Sequence, residues 1–469
     1  MVSLSPQSNR TFFAVVGAVA AVVVTTLVAS PSPRPPETVD SPAATERMVS
    51  PPPISRVEPL PEPESERIRT CQVDDEAGVT DGLELAGSVA LVDTGEVLWE
   101  VRAAEPVVPA SVLKLVTARA ALKVLGPEFR FTTRVVEGTQ AGEVWLVGGG
   151  DPTLTRTEPG ATTYYTDPAR LSDLVSQLVE TVGEVPASEA FARVGIDISR
   201  YDAFPDWNES WRPNAARLGF VAPVSALMVD GGRLAPAGRL AERSGDPVGQ
   251  ATKAFVRQLA EVSGFWRSEL VTGVAPVGAK VIAEVSSPPL SILLDQMIRD
   301  SDNQIAEALI REVALALAVD SFDVAAREAF ETAIVVMVPG FFADDGSGLS
   351  QENAMTAAFA TQFLVDLVTD SDMAVIVNTL PRPGEPGSLS RRFGGFEESW
   401  PEISGKTGSL MGVRSLAGVI GGDDPLVYSL FVTGPRVDDQ SRDILDRLAA
   451  EFHACGENLA HLVPTETGE

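Results

Sequence analysis

The first 70 residues of this chain lack the composition of a globular domain, so the folded part must follow them. Residues 12–29 form a run without a charged side chain, and Arg10 precedes this run. As a helix, a run of this length spans about 27 Å, close to the hydrocarbon thickness of a bilayer. Residues 1–30 are therefore predicted to be either a signal peptide or a membrane anchor.

Proline dominates the segment that comes next. Residues 31–63 contain eleven prolines, which are interleaved with Ser, Glu and Thr. Such a segment buries too little apolar surface to fold, and it favours extended polyproline geometry. We predict that residues 31–70 are a disordered stalk. The protein is then exported and acts on the extracytoplasmic side, either secreted or held at the membrane through its N-terminal segment.

The composition of the whole chain excludes several classes of function. The formal charge of −29 argues against a nucleic-acid partner, because the phosphates of such a partner would be repelled. The two histidines, His453 and His461, both lie near the C-terminus. A Ser-His-Asp triad or a histidine-rich zinc site is therefore not expected. We predict neither a metal ion nor an organic cofactor.

The two cysteines bracket the predicted folded part. Cys71 follows the stalk, and Cys455 lies at the end of the last predicted helix. In an exported protein this arrangement predicts one disulfide that joins the two ends, with two buried free thiols as the alternative. Both cysteines lie far along the chain from the motifs described below, which argues against a catalytic role for either.

Both ends of the folded part have patterns typical of one antiparallel sheet. Residues 87–101 predict a β-hairpin, and a helix is predicted over residues 109–125. Near the C-terminus, two strands are predicted within residues 413–432 and a helix over residues 438–454. A shared sheet would bring the two cysteines together.

The middle of the chain has a different character. Residues 135–284 are punctuated by Gly and Pro, and they predict mixed strands and short helices. We interpret them as an inserted region. The flanking residues 71–134 and 285–455 then form a single domain, and residues 456–469 form a tail.

A serine and a lysine open the first predicted helix. Ser111 and Lys114 are three residues apart, which places both side chains on one helix face. A neutral lysine can activate a serine hydroxyl without imidazole. The helix N-terminus also favours negative charge near the serine. Alone, the pair is more typical of an N-capping serine beside a surface lysine.

Two further motifs follow in order along the chain. The turn Ser301-Asp302-Asn303 lies between helices predicted at residues 290–299 and 304–317. The segment Lys406-Thr407-Gly408-Ser409 precedes the closing strands and contains one of only five lysines. A lysine with two hydroxyls beside it can hold a carboxylate, and a glycine lets the backbone approach a ligand.

Together the three motifs form the penicillin-recognising set S-x-x-K, S-D-N and K-T-G. With the segments at residues 109–118, 148–154, 223–227 and 345–350, the chain resembles the D-alanyl-D-alanine carboxypeptidase/endopeptidase family, the class C low-molecular-mass penicillin-binding proteins. The resemblance implies an α+β fold. Its catalytic domain would be serine transpeptidase/β-lactamase-like, an antiparallel sheet flanked by helices, with the insertion between the first and second motifs.

The resemblance also implies a role for each residue of the first two motifs. Ser111 would attack the carbonyl between the two D-alanines of a peptidoglycan stem peptide, and Lys114 would accept its proton. Ser301 would relay a proton to the leaving amine. Asn303 would hold the amide of the substrate and orient Lys114.

The third motif is implied to bind the end of the substrate. Lys406, Thr407 and Ser409 would hold the terminal carboxylate, Gly408 would give the backbone access to the ligand, and Arg414 could assist. The family usually has threonine where Ser409 stands, and serine keeps the hydroxyl. β-Lactams, which mimic D-Ala-D-Ala, are expected to acylate the enzyme as covalent inhibitors.

Other functions remain open at this level. The same scaffold could be a non-catalytic wall-binding or regulatory protein, although the intact motifs argue against it. It could also be a β-lactamase or an esterase, which the long insertion disfavours. The sequence does not distinguish trimming of the terminal D-alanine from cleavage of crosslinks.

Overall fold

A computed structural model of the chain describes residues 69–74, 79, 82–328 and 340–460. The uncharged run at 12–29 and the proline-rich segment at 31–63 lie outside these residues, as do 461–469 of the predicted tail. Within the described ranges, no helix has both the length and the apolar character needed to cross a membrane.

The first sheet contains strands from both ends of the folded part. Its strands are β1 (Glu84–Leu91), β2 (Val97–Val101), β8 (Ile403–Leu410), β9 (Val413–Ile420) and β10 (Leu426–Thr433). They are antiparallel in the order β2-β1-β10-β9-β8, with Ser88 of β1 opposite Ser429 of β10. The predicted hairpin, the closing strands and the shared sheet are confirmed.

Alternate residues of β1 belong to two hydrophobic cores. Ala86 and Ala90 pack in the larger core, and Leu85 and Val89 pack in the second core on the opposite face. Because a strand points successive side chains to opposite faces, both faces of the sheet are covered. This explains why β1 is almost continuously buried.

Helices cover both faces of this sheet. One layer supplies α1 (Leu113–Leu125), α5 (Leu290–Arg299), α6 (Asn303–Leu317), α7 (Phe322–Glu328), α8 (Ala357–Thr369) and α9 (Ala374–Asn378), and the other supplies α10 (Ser441–Cys455). The predicted helices are confirmed. α1 ends where Gly126 adopts a φ of +81°, and Pro127 follows it.

A second, mixed sheet occupies the inserted region. Its elements are β3 (Thr132–Glu137), β4 (Glu143–Val147), α2 (Leu171–Val182), α3 (Ala187–Ala190), β5 (Arg193–Asp197), α4 (Pro247–Ser263), β6 (Glu269–Thr272) and β7 (Val281–Ser286). The order is β6-β5-β4-β3-β7. β3 is antiparallel to β4 and β7, whereas β4-β5 and β5-β6 are parallel. The expected α+β fold with a mixed insertion is confirmed.

A disulfide joins the two ends of the folded part. Cys71 and Cys455 are bonded, with their Cα atoms 5.6 Å apart. Backbone hydrogen bonds reinforce the junction, since the amide of Cys71 donates to Asn458 and its carbonyl accepts from Ala460. The free-thiol alternative is therefore wrong.

Candidate active site

Ser111 lies in a 3₁₀ turn, Ala110–Val112, that leads directly into α1. One helical turn later, the buried Lys114 ammonium donates to Ser111 Oγ at 3.0 Å. It also donates to Asn303 Oδ1 at 2.7 Å and to the carbonyl of Ser347 at 2.5 Å. The spacing of three therefore produces the contact expected from helix geometry.

The second motif forms the junction between α5 and α6. Asp302 is the N-cap of α6, because its Oδ1 accepts from the amide of Ile305 at 2.9 Å. Ser301 has a φ of +60°, a left-handed conformation that is uncommon for a residue with a side chain. The turn therefore presents Ser301 and Asn303 to the same cavity.

The third motif lies on β8, one of the two edge strands of the first sheet. Lys406 is fully buried, and its ammonium donates to Ser301 Oγ at 2.9 Å and to the carbonyl of Thr407 at 2.9 Å. Burial lowers the pKa of Lys406 well below its ordinary value, and the positive charges of Lys114 and Arg239 lower it further.

Burial also sets the protonation of Lys114. Removal of the ammonium from water lowers the pKa of Lys114 to about 8, although the nearby carboxylates of Asp345, Asp302 and Glu307 oppose this change. A lysine with a pKa of about 8 is neutral in about one tenth of the molecules at pH 7. It can therefore act as a base toward Ser111.

Two glycines pack against the backbone that carries Ser111. A Cβ atom on Gly408 would lie 2.1 Å from Ser415 Oγ and 3.0 Å from the carbonyl oxygen of Pro109. A Cβ atom on Gly348 would lie 1.9 Å from the carbonyl oxygen of Ala110. Gly408 and Gly348 therefore let β8 and the turn at residues 345–350 approach the 3₁₀ turn closely.

Residues from all three motifs face one cavity of about 230 Å³. The residues from the three motifs that line it are Ser111, Ser301, Asp302, Asn303, Thr407 and Ser409. A larger cavity of about 690 Å³ lies beside α6 and β4, but it contains none of these residues. The smaller cavity is therefore the one that contains the nucleophile and the hydroxyls of the third motif, and the buried Lys114 and Lys406 reach its lining residues Ser111 and Ser301 by hydrogen bonds.

Arg414 is not brought into this cavity. Its guanidinium donates to the carbonyls of Leu410 and Val413, both at 2.9 Å, and lies 3.5 Å from Asp439. It lines a neighbouring cavity of about 330 Å³, which shares Ser409 with the first. Arg414 therefore lines the adjoining cavity, next to Ser409, and not the cavity that contains Ser111, Ser301 and Asn303.

The inserted region supplies part of the cavity wall, which motif reasoning missed. Tyr164, Phe220, Arg233, Arg239 and Leu240 all line it. They carry no short motif, and they lie within a region that the sequence suggests only as an insertion. A cluster of arginines in a strongly acidic chain was the one available signal.

Comparison with known proteins places the chain among serine peptidases. It matches the family described as D-Ala-D-Ala carboxypeptidase 3 (S13) over residues 73–248 and 235–452. It is 34% identical over 389 residues to a carboxypeptidase of Mycobacterium tuberculosis, covering 80% of this chain and 81% of that protein. It is also 34% identical over 386 residues to carboxypeptidase DacB of Mycolicibacterium smegmatis, covering 79% and 81%.

A solved structure has the same fold. Penicillin-binding protein 4 of Haemophilus influenzae superposes with a TM-score of 0.68 at 19% identity, covering 81% of this chain and 98% of that one. The resemblance predicted from the three motifs is thus confirmed by comparisons that span most of the chain. The chain belongs to the D-Ala-D-Ala carboxypeptidase 3 (S13) family of serine peptidases.

Proposed function

We propose that this protein trims peptidoglycan stem peptides as a serine D-Ala-D-Ala carboxypeptidase that forms an acyl-serine intermediate. The observation that carries the proposal is the convergence on Lys114, whose Nζ lies within hydrogen-bond distance of both Ser111 Oγ and Asn303 Oδ1. This arrangement joins a nucleophile, its base and the orienting amide in one hydrogen-bonded cluster, whose Ser111 and Asn303 line the cavity.

In the proposed acylation step, Ser111 Oγ forms a bond to the carbonyl carbon between the two D-alanines. Lys114 Nζ takes the hydroxyl proton. The C–N bond then breaks, and Ser301 gives its hydroxyl proton to the leaving amine while it takes a proton from Lys406, which donates to Ser301 Oγ. The products are free D-alanine and an acyl-enzyme that water hydrolyses.

Substrate binding is assigned to the third motif and to Asn303. Thr407 and Ser409, which line the cavity, would donate hydrogen bonds to the terminal carboxylate. The negative charge of the bound carboxylate would in turn favour the protonated form of Lys406 behind them. Gly408 would let the strand backbone lie close to the substrate. The backbone N–H groups of Ser111 and of the strand near Ser409 are our proposed oxyanion hole.

Peptidoglycan is the substrate class of this family, so the enzyme acts on the extracytoplasmic side. We propose that residues 12–29 either anchor it to the membrane or are removed as a signal peptide. We also propose that residues 135–284 form an inserted domain within a catalytic domain of residues 71–134 and 285–455. In support, the strands of the second sheet all lie between residues 132 and 286, so this sheet begins three residues before and ends two residues after the proposed bounds. Crosslink cleavage remains a second activity to be assayed.

The test combines intact mass with product release. The domain from Cys71 onward is incubated with benzylpenicillin or with a diacetyl-Lys-D-Ala-D-Ala peptide, alongside Ser111→Ala and the exposed control Ser188→Ala. We expect a stable penicilloyl adduct and D-alanine release, both lost only in Ser111→Ala. An adduct without peptide turnover would instead indicate a binding role, and rapid penicillin hydrolysis would indicate a β-lactamase.

A further inference from the structure

Arg233 belongs to the inserted region, yet its side chain is buried against the second active-site motif. Its Nη2 donates to Asp302 Oδ2 at 2.9 Å, and both side chains are only 1% exposed. Its Nε and Nη1 donate to the carbonyls of Gly238 and Asp230, each at 3.1 Å. The guanidinium also stacks on Tyr164, with Cζ 3.7 Å from the ring centroid.

The partner of Arg233 lies between two residues of the active site. Asp302 connects Ser301, which contacts Lys406, to Asn303, which contacts Lys114. One carboxylate oxygen of Asp302 caps α6, and the other accepts from Arg233. The ion pair therefore restrains the orientation of the peptide units on both sides of Asp302.

The turn needs such restraint because its backbone is strained. Ser301 adopts a φ of +60°, and a residue other than glycine stays there only when its surroundings hold it. The inserted region makes two further contacts with the same turn. Asn303 Nδ2 donates to the carbonyl of Phe220 at 3.0 Å, and the amide of Ala222 donates to Gln304 Oε1 at 2.9 Å.

A buried ion pair is weak grounds for a role in stability, because desolvation of the two charges offsets their attraction. A buried ion pair can instead serve to select one conformation of the residues around it. Here, that conformation sets the placement of Ser301 Oγ and Asn303 Oδ1 relative to the two lysines. Their hydrogen bonds with Lys114 and Lys406 depend on this placement.

We propose that Arg233 is a positioning residue for acylation, and that through it the inserted region completes the active site. Arg233 acts on Asp302, which sets the turn that carries Ser301 and Asn303. The inference deepens the proposed function and rests on it. Without Arg233 the turn relaxes, and the proton relay loses its alignment with the lysines.

The test compares Arg233→Met with Arg392→Met. Arg392 forms another largely buried ion pair, with Asp446, and the two side chains are 13% and 6% exposed. Arg392 does not line the Ser111 cavity. We expect Arg233→Met to lower the second-order rate constant of penicillin acylation about 100-fold, since small misplacements at a reacting centre have effects of this size. Arg392→Met should change this rate constant less than about twofold, even if the two variants lower the thermal unfolding midpoint by the same amount.

Arg233→Lys is a second, milder variant that keeps the test valid if Arg233→Met does not fold. Lysine keeps the charge but lacks the planar fork, so an intermediate rate is expected. Asp302→Asn keeps a capping side chain and loses the ion pair. If Arg233 acts through Asp302, the rate losses of Arg233→Met and Asp302→Asn should be far from additive in the double variant.

Hydrogen exchange separates this inference from the proposed function. In Arg233→Met, amides in residues 301–305 should lose protection, whereas Arg392→Met should leave them unchanged. This measurement needs no turnover, so it is decisive even if penicillin fails to label the wild-type protein. A folded Arg233→Met or Arg233→Lys variant with wild-type acylation and wild-type exchange would overturn the inference.

Discussion

The fully buried Lys114 Nζ lies 3.0 Å from Ser111 Oγ. Because burial lowers the pKa of Lys114 to about 8, its neutral form grows tenfold per pH unit below that value. We expect the second-order rate constant of penicillin acylation to rise with pH and to level off above about pH 8. The measurement is this constant from about pH 6 to about pH 9.5.

Circular dichroism over the same range serves as the control for folding. A rate that is independent of pH would argue against Lys114 as the base. A rate that still rises without a plateau at about pH 9.5 would mean that the Lys114 ammonium has the pKa of a lysine in water.

The contact between Gly408 and the 3₁₀ turn predicts a strong effect for a single methyl group. In Gly408→Ala, the added Cβ would overlap Ser415 Oγ, which donates to the carbonyl of Pro109 at 2.8 Å. We expect a loss of about 1–3 kcal/mol in the free energy of unfolding. Displacement of Ser111 should lower acylation by at least about tenfold.

The matched control is Gly394→Ala, because a Cβ atom there meets no heavy atom within 4 Å. Urea unfolding and penicillin labelling are measured for both variants. Equal behaviour of the two would contradict the close packing of β8 against the turn.

Arg239 predicts an electrostatic effect on substrate binding. Its side chain is exposed, donates to the carbonyl of Asp300 at 2.9 Å and lines the Ser111 cavity. In a chain with a net charge of −29, such a cation offsets the general repulsion of an anionic substrate. Arg239→Ala should raise KM for the D-Ala-D-Ala peptide by about threefold to tenfold at low salt, with a smaller effect at high salt.

Arg257→Ala provides the comparison. Arg257 is an exposed arginine on α4 that forms an ion pair with Glu261 at 3.7 Å. Because both variants lose one arginine, Arg257→Ala and Arg239→Ala have the same net charge. The KM of Arg257→Ala should stay within about twofold of wild type. Identical changes in both variants would show that only the total charge matters.

The disulfide predicts a separation of stability from activity. Cys71 and Cys455 close a loop with a sequence separation of 384 residues, and neither lines the active-site cavity. A Cys71→Ser, Cys455→Ser variant should lose about 2–5 kcal/mol of unfolding free energy. Its acylation rate at 25 °C should match wild type while it stays folded. A folded variant that is not acylated would contradict this separation.

The catalytic motifs could be predicted because each is short and has a local geometric consequence. The pair Ser111 and Lys114 follows from the helical period, and the hairpin and closing strands follow from alternation between turn residues. The motif Lys406–Ser409 could be recognised from its composition alone, without knowledge of the residues that it contacts.

The rest depends on contacts between distant parts of the chain. No local pattern pairs Arg233 with Asp302, and none predicts the left-handed φ of Ser301, which surrounding contacts impose. Arg414 shows the reverse case. It follows the third motif closely in the chain, yet backbone carbonyls hold its guanidinium away from the Ser111 cavity.

The strand order also determines when activity can arise. β1 and β2 lie at the start of the folded part, but β1 gains its neighbour β10 only after the rest of the domain is available. Contacts so distant in sequence form late, because a long loop must close first. Because synthesis proceeds from the N-terminus, the growing chain contains Ser111 and Lys114 before it contains Lys406. We expect the enzyme to be inactive while the chain is still being synthesised, and to become active only when β8, β9 and β10 have joined the sheet.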